Sequence, residues 1–395
     1  MDGKLFLNIL ASALNSVPFD TSPYSDQQWQ KAFELSQIHK LLPLFTDAST
    51  PCCPLEKERL SPYIRQSKLM ITQQVMNSAD FLELCKALQK ENIPFVTVKG
   101  IICRSTYKKP DLRVSGDEDL LVFGENFEKA GEVLKNAGFI SVNPQKKDIE
   151  ETFSNGRGLF IELHKSLFED DGYFRSYNNL LCSASDNIYF TDIGNQKVPT
   201  LSPQLHLLYL ILHSAKHFFH GGVGIRQVAD ILNFYKHFRN EINLHQVFEK
   251  CHEVSLRSFA EACFDIGRKH LGFDEIPFAT ANGDDLLADI LDAGIYGSST
   301  LSRQHSSGLT LSAVKGKKTG ALSRFFPSSK ELGSRFDYAK KYPVLLPVAW
   351  GHRLIKYSAE LSDTSDNSPK DTLNLGKKRI ELMKHYGMIP ESEVK

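Results

Sequence analysis

Asp117 and Asp119 stand two residues apart at the head of an apolar run, GDEDLLV (116–122). Side chains alternate along a strand, so such a pair shares one face at a separation of about 6–7 Å. Carboxylates that close repel each other, and a divalent cation relieves the repulsion. Mg²⁺ takes one or two carboxylates together with the phosphate oxygens of a substrate. A third acid on a neighbouring strand would complete a two-metal site. Glu162 in FIELHKSL (160–167) is the candidate, because it sits between Ile161 and Leu163 and so faces away from its apolar neighbours. Glu118 points to the opposite face of its strand and is not expected to share the task. Asp117, Asp119 and Glu162 are therefore the expected catalytic residues and metal ligands.

Cationic groups surround this run in the sequence. Lys99-Gly100 closes the short β-rich segment PFVTV (94–98) and opens into another apolar run. Glycine there would let backbone amides approach a phosphate, with a helix start adding a favourable dipole. Arg113 lies between that turn and Asp117. Further on, His213, Lys216, His217 and His220 fall on one helix. His213 and His217 have zinc-like i, i+4 spacing, but no HExxH acid accompanies them, and the expected role of the face is to line the cleft. Lys216 and His217 are the candidates for touching nucleotide there. Arg226 and Asp230 form another i, i+4 pair, which by spacing alone would be a surface ion pair of about 0.3–0.5 kcal/mol. His164, two residues after Glu162, is placed to hydrogen-bond a carboxylate. Lys315, Lys317 and Lys318 read as a solvated basic loop, and Cys103 has no histidine partner that would make it a nucleophile.

The elements that must position these groups change period along the chain. Residues 1–92 read as a helical region, with Leu7, Leu10, Ala11 and Leu14 on one face and a long periodic segment over 58–92. Residues 93–201 read as an α/β core: strands at 94–98, 117–123 and 157–168, a helix over 125–137, and a hairpin around Gly194-Asn195. Residues 202–294 form a helical region completing the cleft. The Ser-, Gly- and Lys-rich stretch 295–321 reads as a flexible loop or linker. Residues 322–395 form a C-terminal helical region. The fold class is thus α/β (α+β), with a small mixed sheet between helical flanks.

VKG (98–100), PDLR (110–113), GDEDLLV (116–122) and IELHKSL (161–167) together resemble the uncharacterised nucleotidyltransferase family of the polymerase-β-like superfamily. LLYLILHSAKHFFHGGVGIRQVADIL (207–232) is similar to that family's helical segment after the sheet, which implies that the helix carrying Arg226 and Asp230 approaches a nucleotide. The resemblance implies Mg²⁺, two ions, on Asp117, Asp119 and Glu162. It also implies an NTP as co-substrate and a triphosphate-cradling turn at Lys99-Gly100. Two positions depart from the superfamily pattern: Ile101 stands where a Ser usually follows the glycine, and Glu118 stands where an apolar residue usually separates the aspartates.

The chain has 395 residues, with 47 Lys+Arg balanced by 47 Asp+Glu. That balance gives no general attraction for a polyanion, so the expected acceptor is a small molecule, sugar, peptide or protein hydroxyl. tRNA is the one nucleic acid left open. No apolar run reaches the roughly 18 residues of a membrane span, and seven scattered cysteines lack a disulfide framework. A cytoplasmic protein is expected. The expected activity is transfer of NMP from an NTP to an acceptor hydroxyl. The alternatives are a catalytically silent nucleotide- or partner-binding module and a toxin-like NTP transferase acting on tRNA or protein.

Overall fold

A computed structural model describes residues 3–142, 149–170, 173–186, 188–275, 280–294, 301–314, 337–352 and 369–389. Four helices come first: α1 (Lys4–Asn15), α2 (Asp26–Ile38), α3 (Leu42–Ser49) and the 34-residue α4 (Lys57–Lys90). The apolar stripe of α1 is buried, and Ser25 with Gln28 makes a capping box at the start of α2.

The strands occupy residues 95–201: β1 (Phe95–Val98), β2 (Asp117–Val122), β3 (Ile140–Ser141), β4 (Glu150–Ser154), β5 (Phe160–His164), β6 (Ile188–Ile193) and β7 (Gln196–Leu201). They form one mixed sheet in the order β3-β4-β5-β2-β1-β7-β6. β2 runs antiparallel to β1 and parallel to β5, with Asp119 beside Val98 on one side and Glu162 on the other. Two short helices, α5 (Gly100–Ser105) and α6 (Phe127–Asn136), connect strands, and α7 (Arg175–Leu180) precedes the hairpin β6–β7. β3 and β4 are additions to the strands expected from sequence. In β4 the acidic start Glu150-Glu151 masks an alternation that buries Glu151 and Phe153.

Helices follow the sheet: α8 (Pro203–His220), α9 (Ile225–Phe238), α10 (Leu244–Glu253), α11 (Arg257–His270), α12 (Asp284–Ala293) and α13 (Leu301–Val314). α13 corrects one expectation. The stretch 295–321, read as loop from its Ser and Gly content, holds a 14-residue helix packed on α8 and on the later helix Pro369–His385. Buried Arg303 anchors α13 by bonding the Gly221 carbonyl and pairing with Asp289, which outweighs weak local propensity. Lys315, Lys317 and Lys318 lie outside the described residues. One continuous apolar cluster runs from α1 through the sheet to Ile389. No described helix is long and apolar enough to cross a membrane.

Candidate active site

Strand alternation sorts the acids of β2. Asp117 and Asp119 face one side of the sheet, while Glu118 faces the other, among buried Leu120 and Val122. On β5, Glu162 and His164 share the Asp119 side, and Ile161 and Leu163 pack into the core beneath. Because Asp119 and Glu162 are register partners on adjacent parallel strands, their side chains stand next to each other.

The resulting cluster is tight. Ligand atoms of Asp119, Glu162 and His164 all lie within 4.8 Å of one another. His164 Nε2 is 3.2 Å from Asp119 Oδ1 and 3.6 Å from Glu162 Oε2, and its Nδ1 is 3.6 Å from Glu150 Oε2 on β4. Asp117 stands outside this group, yet its charge helps raise the Asp119 pKa. Burial is the main cause of that rise, opposed by Lys99 and His164. Glu162 goes the other way: its hydrogen bond with His164 holds its carboxyl down at about 2. Burial pulls the His164 imidazole down, but its bonds to Asp119 and Glu162 outweigh burial and raise it to about 9. The two carboxylates are thus driven apart in acidity, a pattern of functional sites.

Lys99 completes the cluster. Its ammonium lies 2.8 Å from Asp119 Oδ1 and 3.3 Å from His213 Nε2. The Lys99 backbone has φ 55°, unusual for a residue with a side chain, and turns β1 into α5. Its N–H donates to His206 Nε2 at 3.2 Å. The Thr200 hydroxyl donates to the Thr97 carbonyl at 2.7 Å and so accepts from His206 Nδ1 at 3.0 Å. His206 must be neutral to serve both, and burial holds its pKa at about 3.

The Lys99-Gly100 turn differs from an open phosphate cradle. Glu118 Oε2 accepts the Ile101 N–H at 2.7 Å, and its Oε1 pairs with Arg104 at 2.5 Å. This carboxylate fills the space under Gly100, where an added Cβ would come within 1.9 Å of Oε2. Glu118, one of the two departures from the superfamily pattern, is thus neither solvated nor part of the acidic cluster. Lys99 reaches the acids with its side chain instead of offering a ring of amides.

The other expected residues separate into two groups. α8 presents His213, Lys216 and His217 towards the site: His217 Nε2 lies 2.8 Å from His213 Nε2, which reaches Lys99. Burial and the Lys99 charge keep both imidazoles well below their usual pKa, hence neutral. The Lys216 ammonium lies 3.9 Å from Glu169 and over the Phe168 ring. Arg113 and Asp230 instead bond each other, through Nε at 3.0 Å and Nη2 at 2.5 Å, and Tyr107 donates to Asp230 Oδ1 at 2.8 Å. Arg226 donates to the Val114 carbonyl at 2.9 Å. All three are buried and fasten the loop before β2 to α9. Sequence reading underweighted His164 and His213 and missed Glu150. Its only signal for His164 was the i, i+2 spacing from Glu162, and Glu150 needed β4 to be seen.

Asp119, Glu162 and His164 each offer one ligand atom, a set that could hold a metal ion. A family model described as uncharacterised nucleotidyltransferase matches residues 25–272, which include the whole sheet and its acidic cluster. No curated protein and no solved structure matches the chain. The chain therefore belongs to the uncharacterised nucleotidyltransferase family and is a nucleotidyltransferase.

Proposed function

We propose that this enzyme transfers NMP from an NTP to a hydroxyl of a small molecule, sugar, peptide or protein, with Mg²⁺ as its metal and two ions engaged when nucleotide binds. The observation that carries the reading is the convergence of Asp119 and Glu162 from adjacent parallel strands, with His164 bonded to both.

The donor set fits such a cation. Two carboxylate oxygens suit Mg²⁺, which keeps its other positions for water and phosphate. Asp119 already draws one positive group, the Lys99 ammonium, into the cluster. Asp117, on the same strand face, extends the acidic surface towards the strand start. A bound divalent cation would neutralise phosphate charge and favour ionisation of the acceptor hydroxyl. The residues of the chain do the rest. Asp119 and Glu162 hold the cation, and His164 fixes their spacing through Nε2 while Glu150 fixes its Nδ1 side. Lys99, and Lys216 on α8, supply positive charge for the phosphates of the NTP. Arg113, Asp230 and Arg226 act at one remove, by holding the loop that delivers Asp117. In the reaction the acceptor hydroxyl gives its proton to Asp119, whose raised pKa suits it as the base. The acceptor oxygen bonds the α-phosphorus, and the bond to the pyrophosphate oxygen breaks. The seven free thiols suit a reducing compartment such as the cytoplasm.

Incubating the protein with Mg²⁺, each NTP and a cell extract, then scanning by mass spectrometry for an added NMP, tests this reading and names the acceptor. An adduct formed by the wild type and absent with Asp119→Asn supports it. NTP binding with no adduct from any extract identifies a silent binding module instead.

A further inference from the structure

Two side-chain nitrogens approach Asp119 Oδ1, and they are mounted differently. His164 Nε2, at 3.2 Å, also lies 3.6 Å from Glu162, and its ring stands on β5 within the sheet. Lys99 Nζ, at 2.8 Å, ends a flexible four-carbon stem and has another neighbour, His213 Nε2 on α8, at 3.3 Å. We propose that the Lys99 ammonium is an exchangeable placeholder, which neutralises Asp119 before metal binds and moves to the phosphates of an arriving nucleotide. Nucleotide thereby opens Asp119 to the metal. The proposal rests on the reading of Asp119 and Glu162 as cation ligands and adds to it an order of binding.

Distance and charge require the exchange. Mg²⁺ bonds carboxylate oxygens at about 2.0–2.1 Å, so an ion on Asp119 Oδ1 would lie at most about 5 Å from an ammonium 2.8 Å from that same oxygen. Like charges that close in a buried site repel strongly, and one of them must yield. The Lys99 side chain is 16% exposed and that of Asp119 only 2%, so a phosphate entering from solvent meets the lysine first.

The turn is built as a fixed base for a moving side chain. The Lys99 N–H is held by His206, and its carbonyl accepts the Cys103 N–H at 3.0 Å, which fastens the positive-φ residue on both sides. The stem carries the motion. Leaving Asp119 keeps the ammonium beside His213 on α8, the helix that also bears Lys216.

Mn²⁺ binding to the full chain, followed by electron paramagnetic resonance with and without a saturating non-hydrolysable NTP analogue, tests the proposal. Lys99→Met keeps the stem and removes the charge, and Lys99→Gln is a second variant should the first fail to fold. Without nucleotide, the variant should bind Mn²⁺ at least about tenfold tighter than the wild type, a usual size for coupling between sites. With the analogue that gap should close, because the wild-type ammonium has then left Asp119. Lys216→Met removes a charge that lies by Glu169, and should change nucleotide-free affinity far less. Equal nucleotide-free affinity in the wild type and the Lys99 variants overturns the proposal, because ammonium and cation then share Asp119. An equal gain from Lys216→Met overturns it too, by showing only a general positive field. Both results leave the metal reading standing, which fails, and this proposal with it, if no protein binds Mn²⁺ even with the analogue.

Discussion

Replacing Glu118 by Gln separates the acid that builds the site from the acids that work in it. Glu118 and Arg104 are both almost fully buried, and the carboxylate holds the guanidinium at Oε1 and the Ile101 amide at Oε2. Neutralising one member leaves a buried, uncompensated charge, which costs about 3–5 kcal/mol. Glu118→Gln and Arg104→Met should each lower the unfolding free energy by about that much, read from urea denaturation at pH 7.5. The double variant Glu118→Leu/Arg104→Met removes both charges and leaves chiefly the Ile101 N–H unsatisfied, at about 1–3 kcal/mol. The two losses should therefore fall far short of adding, a positive coupling between contacting residues. Under the same denaturation, Asp119→Asn should cost little, since burial already disfavours its charge, whereas Glu162→Gln should lose the stabilisation that His164 gives its carboxylate. A Glu118→Gln variant as stable as the wild type, or a double variant showing the full sum of the single losses, would refute this account of the turn.

Other outcomes follow from the same geometry. Outer-shell partners of metal ligands cost about 10–100-fold when removed, so Asp119→Asn or Glu162→Gln should lower the transfer rate by at least about 100-fold. EDTA should abolish transfer and added Mg²⁺ restore it, both followed with α-labelled NTP. Asp230→Ala strands the buried Arg113 charge and should cost about 3–5 kcal/mol of unfolding free energy. Burial holds the His39 imidazole at about 4 and that of His206 at about 3. Both bind protons more readily when unfolded, so stability falls as pH drops through 6.5, and each contributes a loss of about 2 kcal/mol at pH 5. His39 stacks on Phe6, so His39→Phe keeps the contact and should shrink the pH 8-to-5 loss by about 2 kcal/mol in urea titrations.

The strands that build the site were legible because their signals are local. VKG, GDEDLLV and IELHKSL each pair an apolar run with a charge out of phase, and alternation alone assigns their faces. The i, i+2 spacing correctly sent Glu118 away from Asp119, but only coordinates could show Arg104 waiting for it, since that contact crosses from α5 to β2. Arg113 and Asp230 are 117 residues apart, and nothing in either segment announces that they bond each other. β4 was hidden by its two glutamates, one of which bonds Ser141 on the neighbouring strand. α13 was hidden by its Ser and Gly content, because its stability comes from Arg303 and the packing of distant helices.

Asp119 and Glu162 are proposed to act together on one cation, and Mn²⁺ binding followed by electron paramagnetic resonance with a non-hydrolysable NTP analogue reads this directly. Saturable Mn²⁺ binding should appear in the wild type and be lost in both Asp119→Asn and Glu162→Gln. Wild-type binding retained by Glu162→Gln would mean that β5 contributes no ligand, and the convergence of the two strands would then have another purpose.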